Sequence, residues 1–192
     1  MYKRQDPAVA ARLRFLRQHA MDVSDLARHA ADDVVIERYP ERGWNHRMTD
    51  MQAALGICQL ELLDEILDRR RRLADRYTAA LEDVPMLHAP FDPPDSERSW
   101  QSYCVRVDPS APVGRTELMR LLLADGIATR RGVMAIHQEG AYAAEAPCDL
   151  PHTDAAAADV LMLPLFHGLA DHDQDLVIER LTVHAGLVAV AA

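Results

Sequence analysis

Gly43-Trp44-Asn45-His46-Arg47-Met48-Thr49-Asp50-Met51-Gln52-Ala53-Ala54-Leu55-Gly56 joins a loop to a helix, and its reading decides the rest of this 192-residue chain. Thr49 and Gln52 have the spacing of a capping box, in which the hydroxyl takes an orphan backbone N–H and the amide reaches back to the cap. Behind them, apolar residues recur at Met51, Ala54, Leu55, Cys58, Leu62, Leu63, Ile66, Leu67, Leu73, Ala74, Tyr77 and Leu81, with no proline before Pro85. The spacing predicts a helix from Thr49 to about Leu81, roughly 50 Å long at 1.5 Å per residue. Such a helix outruns a small domain and is expected to link two bodies.

In the loop, Gly43 permits a tight turn. Asn45 and Arg47 offer an amide donor and a planar guanidinium fork, a natural pair for phosphate or carboxylate. The helix start behind them adds favourable partial charge. Asn45 would serve a backbone turn equally well, so the residues alone leave its role open. The run Arg69-Arg70-Arg71-Arg72 points around the helix, and Glu65 and Asp68 lie one turn upstream of Arg69 and Arg72, so the run reads as a solvated face.

Upstream, Asp6-Pro7 opens a helical pattern through Val9, Leu13, Leu16 and Ala20. It begins without a preceding strand or turn, which is how a chain cut from something longer reads. Downstream, Pro85 to Pro94 reads as a boundary loop. Tyr103, Val105 and Val107 alternate as a half-buried strand. Thr116 to Ala124 is an amphipathic helix stopped by Gly126, and Ile127 to Arg131 a short strand. A helix entered near Thr153, a strand at Leu161-Met162-Leu163 and a last helix from Asp171 to Gly186 complete a small α/β sandwich.

Thirty acidic against 21 basic residues leave a net charge of −9, which disfavours nucleic acid and anionic membranes as partners. Three cysteines without a close pair read as reduced thiols of a cytoplasmic protein. The apolar run from Gly186 to Ala192 is far too short to span a bilayer, and no other run reaches the roughly 20 residues required. Dinucleotide, P-loop, nucleophile-elbow and zinc signatures are absent, and nine scattered histidines give no metal-ligand spacing, so no metal is expected. Lys3 is the single lysine, so a buried amine nucleophile is not to be found in the body of the chain. Thr129-Arg130-Arg131-Gly132 through Ile136-His137 follows a strand, where Arg130 and His137 could face an anionic ligand or merely form a charged surface.

The block Gly43 to Gly56, continuing through Gln59-Leu60 and Leu63-Asp64, resembles the nucleotide-sugar aminotransferases of the DegT/StrS type. Gly126-Ile127-Ala128-Thr129-Arg130, Ile136-His137, Leu150-Pro151 and Leu163-Pro164-Leu165 match the same family in the same order. The resemblance runs from about Asp6 to Val183. It implies the aspartate-aminotransferase fold (fold type I), pyridoxal 5'-phosphate (PLP) as cofactor and a homodimer, but only about the C-terminal half of such an enzyme. On that reading, 1–48 is a remnant of the large PLP-binding domain with the phosphate-contacting loop. Residues 49–82 form the interdomain helix, and 83–192 the C-terminal small α/β domain.

The resemblance further implies that Asn45 reaches the PLP phosphate of the neighbouring subunit, and that Arg47, Arg130 and His137 contact substrate. His46 keeps a flat ring at a position that is often aromatic in the family. The lysine that would form the Schiff base belongs upstream of the Asp6-Pro7 helix, so no catalytic residue is assigned and Lys3 is no substitute for it. The implied activity moves an amino group from glutamate or glutamine to a nucleotide-linked keto-sugar, with the chain inactive alone. Two alternatives remain: a dehydratase of the same family, in which histidine replaces the lysine, and a non-catalytic α/β dimerisation or binding module.

Overall fold

The computed structural model describes residues 6–24, 27–28, 30–142 and 148–186. Lys3 and the apolar run beyond Gly186 lie outside the described residues. The chain divides into two compact units, Met1–Glu61 and Leu62–Ala192.

In the first unit, helix α1 (Pro7–Leu16) starts where expected. Asp6 is extended and its carboxylate accepts from Ala8 N at 2.8 Å, while Pro7 fills the first turn. Helix α2 (Asp50–Glu61) follows the loop, and its capping box forms in both directions: Gln52 N donates to Thr49 Oγ1 at 3.2 Å and Thr49 N to Gln52 Oε1 at 2.9 Å.

The single helix expected from Thr49 to Leu81 is instead two. Leu62, at φ −94° and ψ −1°, separates α2 from α3 (Leu63–Leu81). Neither proline nor glycine marks the break. The new ladder begins with Ile66 N donating to Leu62 O at 3.0 Å, and Asp64 and Glu65 supply first-turn carboxylates that suit a fresh helix start.

The second unit is an α/β sandwich. Strands β1 (Leu87–His88), β2 (Tyr103–Val107), β3 (Arg130–Arg131) and β4 (Val160–Leu163) form one antiparallel sheet in the order β1-β2-β4-β3. Helices α4 (Arg115–Ala124), α5 (Pro151–Asp159) and α6 (Asp171–His184) complete it. Tyr103, Val105 and Val107 face the core, opposite Leu161 and Leu163 across the β2–β4 register. Tyr77 and Leu81 of α3, Leu118 and Leu122 of α4, and Val177 and Leu181 of α6 close over them. Gly126 and Gly186 stop α4 and α6 in the left-handed region, at φ +81° and +86°. The Pro-rich loop conceals β1, and the strand expected from Ile127 shrinks to Arg130–Arg131.

The arginine run is a solvated face only at Arg72, which is exposed, while Arg69, Arg70 and Arg71 find tertiary partners. Arg69 donates to Leu169 O and Asp171 Oδ1, both at 2.6 Å, and Arg71 bridges Asp68 and Glu97 at 2.8 and 2.5 Å. Arg70 reaches Trp100 O at 3.3 Å. Gln174, fully buried, seals α3 to α6: its Nε2 donates to Leu73 O at 2.7 Å and its Oε1 accepts from Arg76 Nη1 at 3.0 Å.

Gln174→Ala empties a closed site and strips both bonds, so urea unfolding is expected to show a loss of about 2 kcal/mol. Asp171 behaves differently. Its hydrogen bond from Arg69 holds the carboxyl below its usual range. The stabilisation is therefore present above the unfolded value near 4 and is lost as pH falls through the lower folded value. The difference in urea midpoint between the native chain and Asp171→Asn should be present at pH 7 and shrink as the pH falls below the unfolded value near 4.

Candidate functional site: an amide–arginine loop and an aspartate–histidine pair

The loop carrying Asn45 and Arg47 is fixed by the chain that leaves α1. Trp44 N donates to Leu16 O at 2.8 Å, His46 N to Arg17 O at 2.9 Å, and His19 N to Trp44 O at 3.0 Å. Asn45 lies opposite Gln18 in an isolated antiparallel bridge. These bonds satisfy carbonyls that the helix end leaves open. The turn they require puts His19 and Ala20 in the left-handed region, at φ +58° and +56°. Ala20 is fully buried there, and Gly43 lies against it so closely that a Cβ would come within 2.1 Å of Ala20 N. Only glycine fits.

Asn45 and Arg47 are both exposed. They share an open groove of about 710 Å³ with His46, Gln52, Leu55 and Gln59, and none of the described residues lining it is a carboxylate. Glu41, just upstream, is engaged by Arg12, whose hydrogen bond holds that carboxyl below its usual range. Trp44 and His46 stack with ring centroids 6.4 Å apart and planes 8° from parallel. The capping box already occupies the start of α2, and Asp50 stands in its first turn. Asn45 and Arg47, rather than the helix end, are therefore the groups of the groove whose chemistry suits an anion. An amide donor beside a guanidinium fork has the chemistry of a phosphate contact.

The other two expected residues belong to the second unit. Arg130 is exposed on β3, paired through its backbone with Met162. His137 sits in a 3₁₀ turn, Ile136–Gln138, and its Nε2 lies 2.7 Å from Asp154 Oδ1. Gln138 Nε2 donates to the same oxygen at 2.5 Å, and Arg131 pairs with Glu139 at 2.9 Å. Asp154 is a functional candidate that the sequence reading passes over. In sequence it is one more acid in the first turn of a helix, and only the fold brings it to His137. Among the described residues, no cluster of three or more His, Cys, Asp or Glu side chains could hold a metal ion. None of their helices is long and apolar enough to cross a membrane.

The model of the DegT/DnrJ/EryC1/StrS aminotransferase family matches residues 1–182. The spore coat polysaccharide biosynthesis protein SpsC of Bacillus subtilis (strain 168) is 30% identical over 184 residues, which cover 93% of this chain and 47% of SpsC. Among solved structures, the aminotransferase TlmJ from Streptoalloteichus hindustanus superposes with a TM-score of 0.81 at 30% identity, over 96% of this chain and 47% of TlmJ. DesV from S. venezuelae gives 0.80 at 31% identity, over 96% and 46%. The chain thus spans about half the length of the relatives it matches.

Gly43→Ala should break the contact that shapes the loop. A methyl group driven into backbone cannot be accommodated by a rotamer change, so the first unit is expected to lose about 3 kcal/mol or more. Hydrogen exchange at the amides of His19, Trp44 and His46 would report it, with the core amides of β2 and β4 as the unaffected control.

Proposed function

Because the chain belongs to the DegT/DnrJ/EryC1/StrS aminotransferase family, we propose that it forms the C-terminal part of a PLP-dependent sugar aminotransferase. The reaction is the transfer of an amino group from glutamate or glutamine to a nucleotide-linked keto-sugar, in a cytoplasmic homodimer. Residues 1–48 belong to the large domain, 49–82 to the interdomain region and 83–192 to the small domain. Bound PLP supplies an electron sink for charge developing at the substrate carbon.

Asn45 donates its amide to the cofactor phosphate of the neighbouring subunit. Arg47 stands beside it and binds the anionic part of the substrate with its guanidinium fork. Arg130 and His137 contact the substrate from the small domain. The observation that carries this reading is the groove that Asn45 and Arg47 line together, beside the capped start of α2.

The lysine that shuttles the proton is not among the residues assigned here. Lys3 is the only lysine of the chain, and it precedes the Asp6-Pro7 helix too closely to stand on the lysine strand. This chain alone is therefore inactive. PLP added to it should give no stoichiometric borohydride-reducible lysine adduct, and such an adduct would overturn the proposal. Amino transfer should appear on mixing with a polypeptide that supplies the remaining half of the relatives' length. In that mixture Asn45→Ala should weaken PLP retention about 10- to 100-fold, the cost of one hydrogen bond to a charged group. A stable mixture with no activity would favour the non-catalytic binding module.

A further inference from the structure

The contact between His137 and Asp154 settles which ring nitrogen is available. The His137 side chain is 17% exposed, and its Nε2 lies 2.7 Å from Asp154 Oδ1. An ionised carboxylate only accepts, so Nε2 carries the proton. The same oxygen accepts from Gln138 Nε2 at 2.5 Å, so two donors hold the carboxylate in place. Asp154 stands in the first turn of α5, its own N–H bonded to Leu150 O at 2.9 Å. The acceptor is thus mounted on a helix while the histidine rides on a turn. In a neutral imidazole one nitrogen donates and the other accepts. With Nε2–H committed, Nδ1 keeps its lone pair, and it has no hydrogen-bond partner among the described residues. A lone pair accepts from a hydroxyl and repels a phosphate oxygen.

We propose that Asp154 is a positioning residue that fixes His137 in the Nε2–H tautomer, so that Nδ1 accepts a hydrogen bond from a sugar hydroxyl of the substrate and takes no part in holding its diphosphate. This rests on the reading of His137 as a substrate contact. It divides the labour of the loop after β3: the cationic Arg130 suits the anionic portion of the ligand, and His137 suits the neutral portion.

Long-range ¹H–¹⁵N spectra of the full chain with labelled histidine, recorded at pH 8, test it directly, with His137→Gln identifying the signal. The native chain should show the Nε2–H tautomer. Asp154→Ala should give a mixture of tautomers, Asp154→Glu should restore the native pattern, and Gln138→Ala should leave it unchanged. A Nδ1–H ring in the native chain, or an unchanged ring in Asp154→Ala, overturns the assignment of Asp154. In a second arm, run on the labelled chain mixed with the polypeptide that supplies the remaining half and restores amino transfer, a nucleoside diphosphate-hexose should shift the Nδ1 resonance while the nucleoside diphosphate alone does not. A shift from the diphosphate alone overturns the hydroxyl assignment. The expected tautomer response with no shift from either ligand upholds Asp154 as the residue that positions His137, and rejects His137 as a substrate contact.

Discussion

Three backbone hydrogen bonds between residues 16–19 and 44–46, closed by the contact of Gly43 with Ala20, hold the loop on which the family reading turns. They convert the frayed end of α1 into a template for an extended segment. An extended segment sends alternate side chains to the same side, so the pair Asn45 and Arg47 and the stacked pair Trp44 and His46 are each set by the same ladder. The capping box at Thr49 fixes the far end of the segment. Between these anchors few residues are left to move, which is the condition for a polar contact to be preorganised rather than found on binding. Two left-handed residues, His19 and Ala20, are the strain that this arrangement carries.

The second unit solves the same problem by other means. Its core is conventional, and the chemistry sits at the sheet edge. Strand β3 is only two residues long, and what holds it is its pairing with β4, extended by Gly132 N donating to Val160 O at 2.9 Å. Helix α5 runs directly into β4, with Asp159 and Val160 adjacent. The carboxylate of Asp154 and the backbone that pairs with Arg130 are therefore parts of one continuous stretch of chain. His137 is located by that stretch through Asp154, and Arg131 by Glu139 within its own loop.

What could be read from sequence was local. The capping box, the Asp6-Pro7 start, the alternation of Tyr103, Val105 and Val107, and the stops at Gly126 and Gly186 all depend on residues within a few positions of one another, and all form. What could not be read was long-range or purely conformational. Strand β1 exists because Leu87 and His88 meet Val107 and Arg106, and nothing in a proline-rich stretch announces such a partner. The arginine run misled because Leu169, Asp171, Trp100 and Glu97, distant in sequence, claim its guanidinium groups. Asp154 went unnoticed for the same reason. The exposure of Asn45 agrees with a residue that meets a ligand, but its assignment came from the ordered motifs around it and not from its own chemistry.

The first unit also bears on how the loop is maintained. Among its described residues only Ala20 is buried, while Met48, Met51, Leu55 and Leu60 are 65–82% exposed on and beside α2. So little burial among these residues contributes little hydrophobic stabilisation. Local devices such as the capping box and the α1 ladder each contribute on the order of 1 kcal/mol, and they set conformation without supplying a core. The shape of the loop is therefore set by local hydrogen bonds and by the contact of Gly43 with Ala20.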